Sequence, residues 1–244
     1  MRVSRLYIPQ ALAQGLVITL EEDSAHYVRA VLRLKQKDAI VLFNGDGHDY
    51  LSVLSEVSRK HVKVEIGQFN ARHTESTLNV VVGLGISRGD RMDMVVQKAV
   101  ELGVYKITPL QTERCVVQLN AEKQQQRRCH WQKIVQHASE QCGRAVLPEL
   151  GDVGSLANWL SAQLGLKVFL DPYAETVLNS LQPITNTVTL LSGPEGGFTG
   201  QERELAKAAG FIPVRLGKRI LRTETAALAA LAAVQTLWGD FGGG

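Results

Sequence analysis

The 244-residue chain is predicted to fold as a small β-rich domain followed by a larger α/β domain built on a parallel sheet. Three observations lead there. Up to about residue 72 the apolar residues fall in short, roughly alternating runs rich in β-branched side chains. A polar stretch, NARHTES (70–76), then breaks the pattern. Beyond it, apolar strands alternate with helix-period segments to the C terminus, and that alternation implies parallel strands joined by crossover helices.

In the first region DAIVLF (38–43), DYLSVLSEV (49–57) and HVKVEIGQF (61–69) read as strands, separated by NGDG (44–47) and SRK (58–60), which suit tight turns. One helix is expected to start at Asp23 or Ser24, either of which could cap it, and to end near Leu34. About five strands and one helix suggest a small β-barrel-like domain. In the second region LNVVVGLG (78–85) is continuously apolar, as a strand buried on both faces should be. A helix over 89–103 follows, with Met92, Val95, Val96, Ala99, Val100 and Leu102 at helical spacing and Gly103 at its C-terminal end. Strand KITPL and a helix over 121–142 come next. Helix SLANWLSAQLG then leads into strand LKVFLDP, and strand NTVTLLSGP into helix TGQERELAKAAG, where Thr199 and Glu202 have capping-box spacing. Strand FIPVRLG and the alanine-rich helix AALAALAAVQTLW (226–238) complete the order, and the GGG end is expected to be disordered.

Composition narrows the function classes. With 45% hydrophobic and 21% charged residues the chain can bury a full core, and no uninterrupted apolar run approaches the ~20 residues of a membrane span. The N terminus has no apolar signal-peptide core. Three cysteines (Cys115, Cys129, Cys142) without a CxxC pair favour reduced thiols in a cytoplasm over disulfides or a zinc site. His130 and His137 are seven apart on one helix, so they do not form an i, i+4 metal pair, and no metal site is expected. Trp131, Trp159 and Trp238 are expected in the core. A net charge of +3 says little alone; the placement of arginines says more. Arg29 and Arg33 are four apart on the N-terminal helix, and Arg88 and Arg91 open the helix after the first strand of the second domain, where positive charge opposes the helix dipole.

Three loops just after strands of the α/β region are LDPYAE (170–175), SGPEGGF (192–198) and LGKRILRTETAA (216–227), at the strand ends where open α/β sheets bind ligands. SGPEGGF lacks the lysine of a phosphate loop and carries Glu195, which would repel a polyphosphate; nor does it fit the dinucleotide fingerprint. A plain tight turn ahead of a helix cap is one remaining reading. A ligand with a cationic centre is the other, with glycines admitting backbone groups to its edges.

LLSGPEGGF, LGKRILRTETAALAAL, SRGDRMDMVVQKAVELGV and SEQCGR together resemble the RsmE family, and the resemblance spans nearly the whole chain. These are bacterial methyltransferases acting on N3 of a uridine in 16S ribosomal RNA of the small subunit, within the SPOUT superfamily. The resemblance implies a PUA-like RNA-binding barrel over 1–72 and a SPOUT domain with a deep trefoil knot over 73–244. It implies S-adenosylmethionine as cofactor, held by Leu170, by Leu191, Ser192, Gly193, Pro194, Glu195, Gly196 and Gly197, by Leu216, Gly217, Arg219, Ile220 and Leu221, and by Thr225. It further implies a homodimer with the active site at the subunit interface. From their placement Arg5, Arg29, Arg33, Arg88 and Arg91 are the candidate RNA contacts, with a neighbouring subunit the alternative for Arg88 and Arg91 and a solvated face the alternative for Arg29 and Arg33. Arg222 is expected to hold the base or stabilise its charge, or else to bridge to Glu224 or Glu195. Glu224 either accepts the N3 proton or complements the dipole of the last helix. A non-catalytic RNA-binding or ribosome-assembly protein on the same scaffold is the competing reading; retention of both cofactor loops argues against it.

Overall fold

Strand pairing in the computed structural model, which describes residues 3–116 and 119–242, resolves two sheets. They belong to two units, Met1–Glu75 with Ser139–Leu147, and Ser76–Ala138 with Pro148–Gly244.

The first unit holds β1 (Arg5–Tyr7), β2 (Val17–Thr19), β3 (Ala39–Phe43), β4 (His48–Val57) and β5 (Val62–Ala71) in the order β1-β3-β4-β5-β2. β1 runs parallel to β3 and the other pairs are antiparallel. The ladder is an open path whose ends, β1 and β2, do not pair with each other, so hydrogen bonding does not close the expected barrel. Gly45 (φ 95°) and Gly47 (φ 89°) make the β3–β4 turn, a backbone region that favours glycine. Ser58 N–H donating to His61 O at 3.0 Å closes the β4–β5 hairpin. β5 runs on through Asn70 and Ala71, so the polar stretch is linker only from Arg72. Ile40, Leu42, Leu54, Val62, Val64 and Ile66 form the core, while Leu51 and Val53 of β4 point outward, as the two-residue period of a strand requires.

The helix of this unit departs from expectation. Helix α1 (Glu22–His26) begins after Glu21, because Ala25 N–H already reaches Glu21 O at 2.8 Å; Asp23 and Ser24 therefore lie inside the first turn and do not cap it. It widens to π-type turns over Tyr27–Val31 and stops, and Arg33 takes φ 54°. Arg29 and Arg33 thus share no helical face.

The second unit contains β6 (Asn79–Gly85), α2 (Asp90–Glu101), β7 (Lys106–Gln111), α3 (Ala121–Cys142, its last turn grouped with the first unit), β8 (Glu149–Leu150), β9 (Gly154–Ser155), α4 (Leu156–Ser161), β10 (Leu166–Leu170), β11 (Thr187–Ser192), α5 (Gly200–Ala208), β12 (Ile212–Val214) and α6 (Thr223–Trp238). The sheet order is β12-β10-β11-β6-β7-β8, with β9 also on β7, and every pairing is parallel. Gly103 (φ 78°) ends α2. The Thr199–Glu202 capping box is complete: Glu202 N–H donates to Thr199 Oγ1 at 3.2 Å and Thr199 N–H to Glu202 Oε2 at 2.8 Å. α4 covers only part of 155–165. Trp131 and Trp159 are buried and Trp238 is half-buried. Gly242 closes a 3₁₀ turn, and the rest of the GGG end lies outside the described residues. Among the described residues no helix is long and apolar enough to cross a membrane.

Candidate cofactor site

β12, β10 and β11 are neighbours in the sheet, so the loops leaving their C-terminal ends emerge side by side. Together they enclose a cavity of about 330 Å³. Its lining contains Leu170, Ser192, Gly193, Pro194, Glu195, Gly196, Gly197, Leu216, Arg219, Ile220 and Leu221, drawn from three loops that are far apart in sequence. Phe169, Phe198, Val214 and Ala226 add apolar surface, and Arg114, Asp171, Tyr173, Arg203 and Thr223 add polar groups.

Three of the expected cofactor residues do not line it. Leu191 is fully buried in the hydrophobic core beside its strand partner Phe169, in a strand buried on both faces. Gly217 instead shapes the turn, with φ 75°. Thr225 is exposed: on α6 it is Thr223 and Ala226, one helical turn apart, that face the cavity. Arg222 is the exposed N-cap residue of α6, between lining residues Leu221 and Thr223. No ion pair links it to Glu224 or Glu195 among the described residues. Glu224 is buried in the first turn of α6, outside the lining, with Oε2 lacking a hydrogen-bond partner.

Glu195 has a defined place. Its Oε1 accepts the Arg88 backbone N–H at 3.1 Å and the Arg91 guanidinium at 3.1 Å. Burial by itself would raise its pKa, but the N–H donors of Glu195 and Arg88, together with the Arg91 charge, outweigh that and hold the carboxyl below the usual glutamate value. The carboxylate therefore fastens the glycine loop to the start of α2. Arg88, Asp90, Arg91 and Val116 line a second cavity that shares Glu195 as a wall.

The arginines expected on RNA differ in what they present. The Arg5 side chain is only 7% exposed: it pairs with Asp49 at 2.5 Å, donates to the carbonyls of Ser139 and Arg144, and lies over the Phe43 ring. It offers no free guanidinium for a phosphate, and its place is inside the first unit. Arg29 donates to Glu22 at 2.8 Å and Ser58 O at 3.3 Å. Arg33, Arg88 and Arg91 are exposed. His130 sits 2.7 Å from the Asp93 carboxylate, which also accepts the Trp131 indole N–H, so it joins α3 to α2. Among the described residues no group of three His, Cys, Asp or Glu could hold a metal.

Sequence reasoning gave no role to Arg114, Asp171 or Arg203, although Arg114 belongs to a family motif. Asp171 was legible as an acid at a strand end, inside a loop already singled out. Its pairing with Arg203 at 2.7 Å was not, because the two are 32 residues apart.

A parallel α/β unit with a glycine-rich cavity at its strand ends defines a cofactor-binding domain. Family comparison sharpens that class: residues 74–235 match the RNA methyltransferase domain and residues 20–67 the RNA methyltransferase PUA domain. A ribosomal RNA small subunit methyltransferase E of Buchnera aphidicola (subsp. Schizaphis graminum) is 37% identical, covering 98% of each chain. A Neisseria gonorrhoeae protein of the same name, solved bound to S-adenosyl methionine, superposes with TM-score 0.91 at 38% identity over 98% of this chain and 100% of that one. A Legionella pneumophila chain solved with the cofactor SAM gives TM-score 0.96 at 38% identity, with the same coverage. The chain belongs to the ribosomal RNA small subunit methyltransferase E family.

Proposed function

We propose that this chain transfers a methyl group from S-adenosylmethionine to N3 of a uridine in 16S ribosomal RNA of the small subunit. The observation that carries the reading is the cavity at the ends of β10, β11 and β12, set in a chain of this family.

The residues present suit the cofactor. A volume of about 330 Å³ falls in the range of small-molecule sites. A Cβ on Gly193 would stand 3.2 Å from the Phe198 ring, and one on Gly196 2.9 Å from Arg114 Cβ, so the loop keeps a side-chain-free backbone surface on the cavity. Exposed, apolar Ile220, backed by buried Phe169 and Val214, suits a purine face, while charges of both signs suit an amino-acid end. When bound, S-adenosylmethionine supplies an electrophilic methyl group on its sulfonium.

The protein's own part is to bind and orient a uracil and to favour loss of its weakly acidic N3 proton to solvent water. Cations directed at the carbonyl oxygens flanking N3 lower the cost of that ionisation. Arg219 on the cavity wall and Arg222 at the α6 N-cap are the groups we assign to this task. Glu224, buried and off the cavity, is assigned to the first turn of α6, where an acid complements the helix dipole. Orientation by the loops contributes the rest. Arg88, Arg91 and Arg33, exposed, and Arg29, held by Glu22, are assigned to RNA phosphates.

The wider assignment follows the resemblance to the family: a PUA-like domain over 1–72, a SPOUT domain with a trefoil knot over 73–244, a cytoplasmic homodimer, and a substrate presented in the assembled 30S subunit. The small residues of α6 that are not buried (Ala226, Ala229, Ala232, Ala233) support close packing of a second copy. Calorimetry with S-adenosylmethionine, ATP and NAD tests the cofactor, and methylation of small subunits lacking the modification, with mapping of the product, tests the reaction. Binding of the first ligand only, and a single methyl on uridine N3, is the expected outcome. No binding of S-adenosylmethionine, or methylation at another atom, overturns the reading.

A further inference from the structure

Three arginines and two acids line the cofactor cavity, and each acid already holds one arginine. Asp171 holds Arg203 at 2.7 Å, and Glu195 holds Arg91, which stands outside the lining, at 3.1 Å. Arg114 and Arg219 are left as the cavity's uncompensated cations, since neither has an ion-pair partner among the described residues. A zwitterionic ligand that carries a carboxylate into this cavity needs one of them.

The two are mounted differently. Arg219 lies in the exposed run Gly217–Ile220, which belongs to no helix or strand. Arg114 follows β7 in a turn anchored on several sides. Cys115 N–H donates to Thr112 O at 3.2 Å, the Cys115 thiol packs 3.3 Å from Thr112 Oγ1, and Glu113 N–H donates to Glu202 Oε1 at 2.9 Å. The Arg114 Nη1 itself donates to Gly196 O at 3.2 Å, and its Cβ lies against Gly196 so closely that a Cβ there would be 2.9 Å away. Arg114 is exposed like Arg219, but one guanidinium nitrogen is already fixed on the glycine loop while the remaining donors are free for an anion, which lowers the ordering cost of binding one.

We propose that Arg114 binds the carboxylate of the cofactor's amino-acid end. The proposal rests on the S-adenosylmethionine reading above and names the residue that recognises one end of that ligand. It leaves Arg219 for charge on the base.

The test is calorimetry of the full-length protein with two probes, S-adenosylhomocysteine and its decarboxylated analogue, which differ by the carboxylate alone. Wild type should prefer the carboxylate form by roughly ten- to hundredfold, the range of a charge-assisted hydrogen bond. Arg114→Met should lose most of that preference by weakening S-adenosylhomocysteine, with the analogue within about twofold of wild type, and Arg114→Lys should keep part of it. If Arg114→Met weakens both probes equally, Arg114 only props the glycine loop and the proposal fails. If the preference vanishes in Arg219→Met and survives in Arg114→Met, the carboxylate belongs to Arg219 and the proposal fails. Failure of wild type to bind either probe would instead sink the cofactor reading beneath it.

Discussion

Gly85→Ala separates the position of the cofactor loop from the stability of the fold. Gly85 ends β6, and a Cβ built there would lie 2.5 Å from both Cδ and N of Pro194. Carbon atoms rest at about 3.5 Å or more, so Pro194 must retreat by about 1 Å, and it cannot yield by rotating a flexible side chain. Overpacking of this kind costs about 1–3 kcal/mol, which for a chain of this size lowers Tm by roughly 2–4 °C per kcal/mol. The consequence for the site is larger. A displacement of about 1 Å in a positioning element can cost up to about a hundredfold in rate, and Pro194 and Gly193 both line the cavity, so cofactor affinity falls with it.

Gly83→Ala is the control. Its Cβ would meet the Trp159 ring at 2.6 Å and Leu110 at 2.9 Å, which is comparable strain on residues outside the cavity lining. Thermal unfolding and calorimetry with S-adenosylmethionine, run on both variants, should give similar drops in Tm. Loss of affinity should be confined to Gly85→Ala. Wild-type affinity in Gly85→Ala at a lowered Tm, or equal loss in both variants, would refute the claim that the β6–Pro194 contact sets the loop.

Other expectations follow from the same geometry. Because the folded-state pKa of Glu195 is depressed, its stabilising contribution is full above the unfolded value of 4.5 and is lost as pH falls through the folded one. The Tm gap between wild type and Glu195→Gln should therefore be present at pH 7 and close in acid; a gap independent of pH would show that the carboxylate charge is not what holds the loop. Thr199→Ala, which removes half of the capping box, should cost about 1 kcal/mol in denaturant unfolding. Arg5→Met should destabilise the protein by about 3 kcal/mol, the low end for a broken buried pair because Arg72 also lies 3.4 Å from Asp49. In the same variant RNA affinity per folded molecule should stay unchanged in filter binding; a parallel loss would return Arg5 to the RNA surface.

Much of the fold was legible because its signals are local. The two-residue period of β4, the helical spacing of Met92, Val95, Val96, Ala99 and Val100, and the three-residue spacing of Thr199 and Glu202 each report what near neighbours do. The site was half legible for the same reason. Each of the three loops could be marked as ending a strand, but strand order decides which loops meet, and β10 stands between β11 and β12 in space but not in the chain. The α1 misreading has a local cause too. Asp23 and Ser24 are good caps in isolation, yet Glu21, extended and at the end of the preceding stretch, accepts the first helical N–H and starts the helix earlier.

By itself the sequence determined the succession of elements, the glycines that admit a backbone-lined cavity, and the family motifs that point to an RNA methyltransferase. These are properties of neighbouring residues and of ordered motifs. Only the tertiary structure decided the fate of the charges. It buried Arg5 on Asp49, left Arg33 off the helix that carries Arg29, tied Glu195 to Arg88 and Arg91 more than a hundred residues away, and set Arg114 against the glycine loop. A charged side chain is spent or available according to what folding brings beside it, and spacing along the chain carries no record of that.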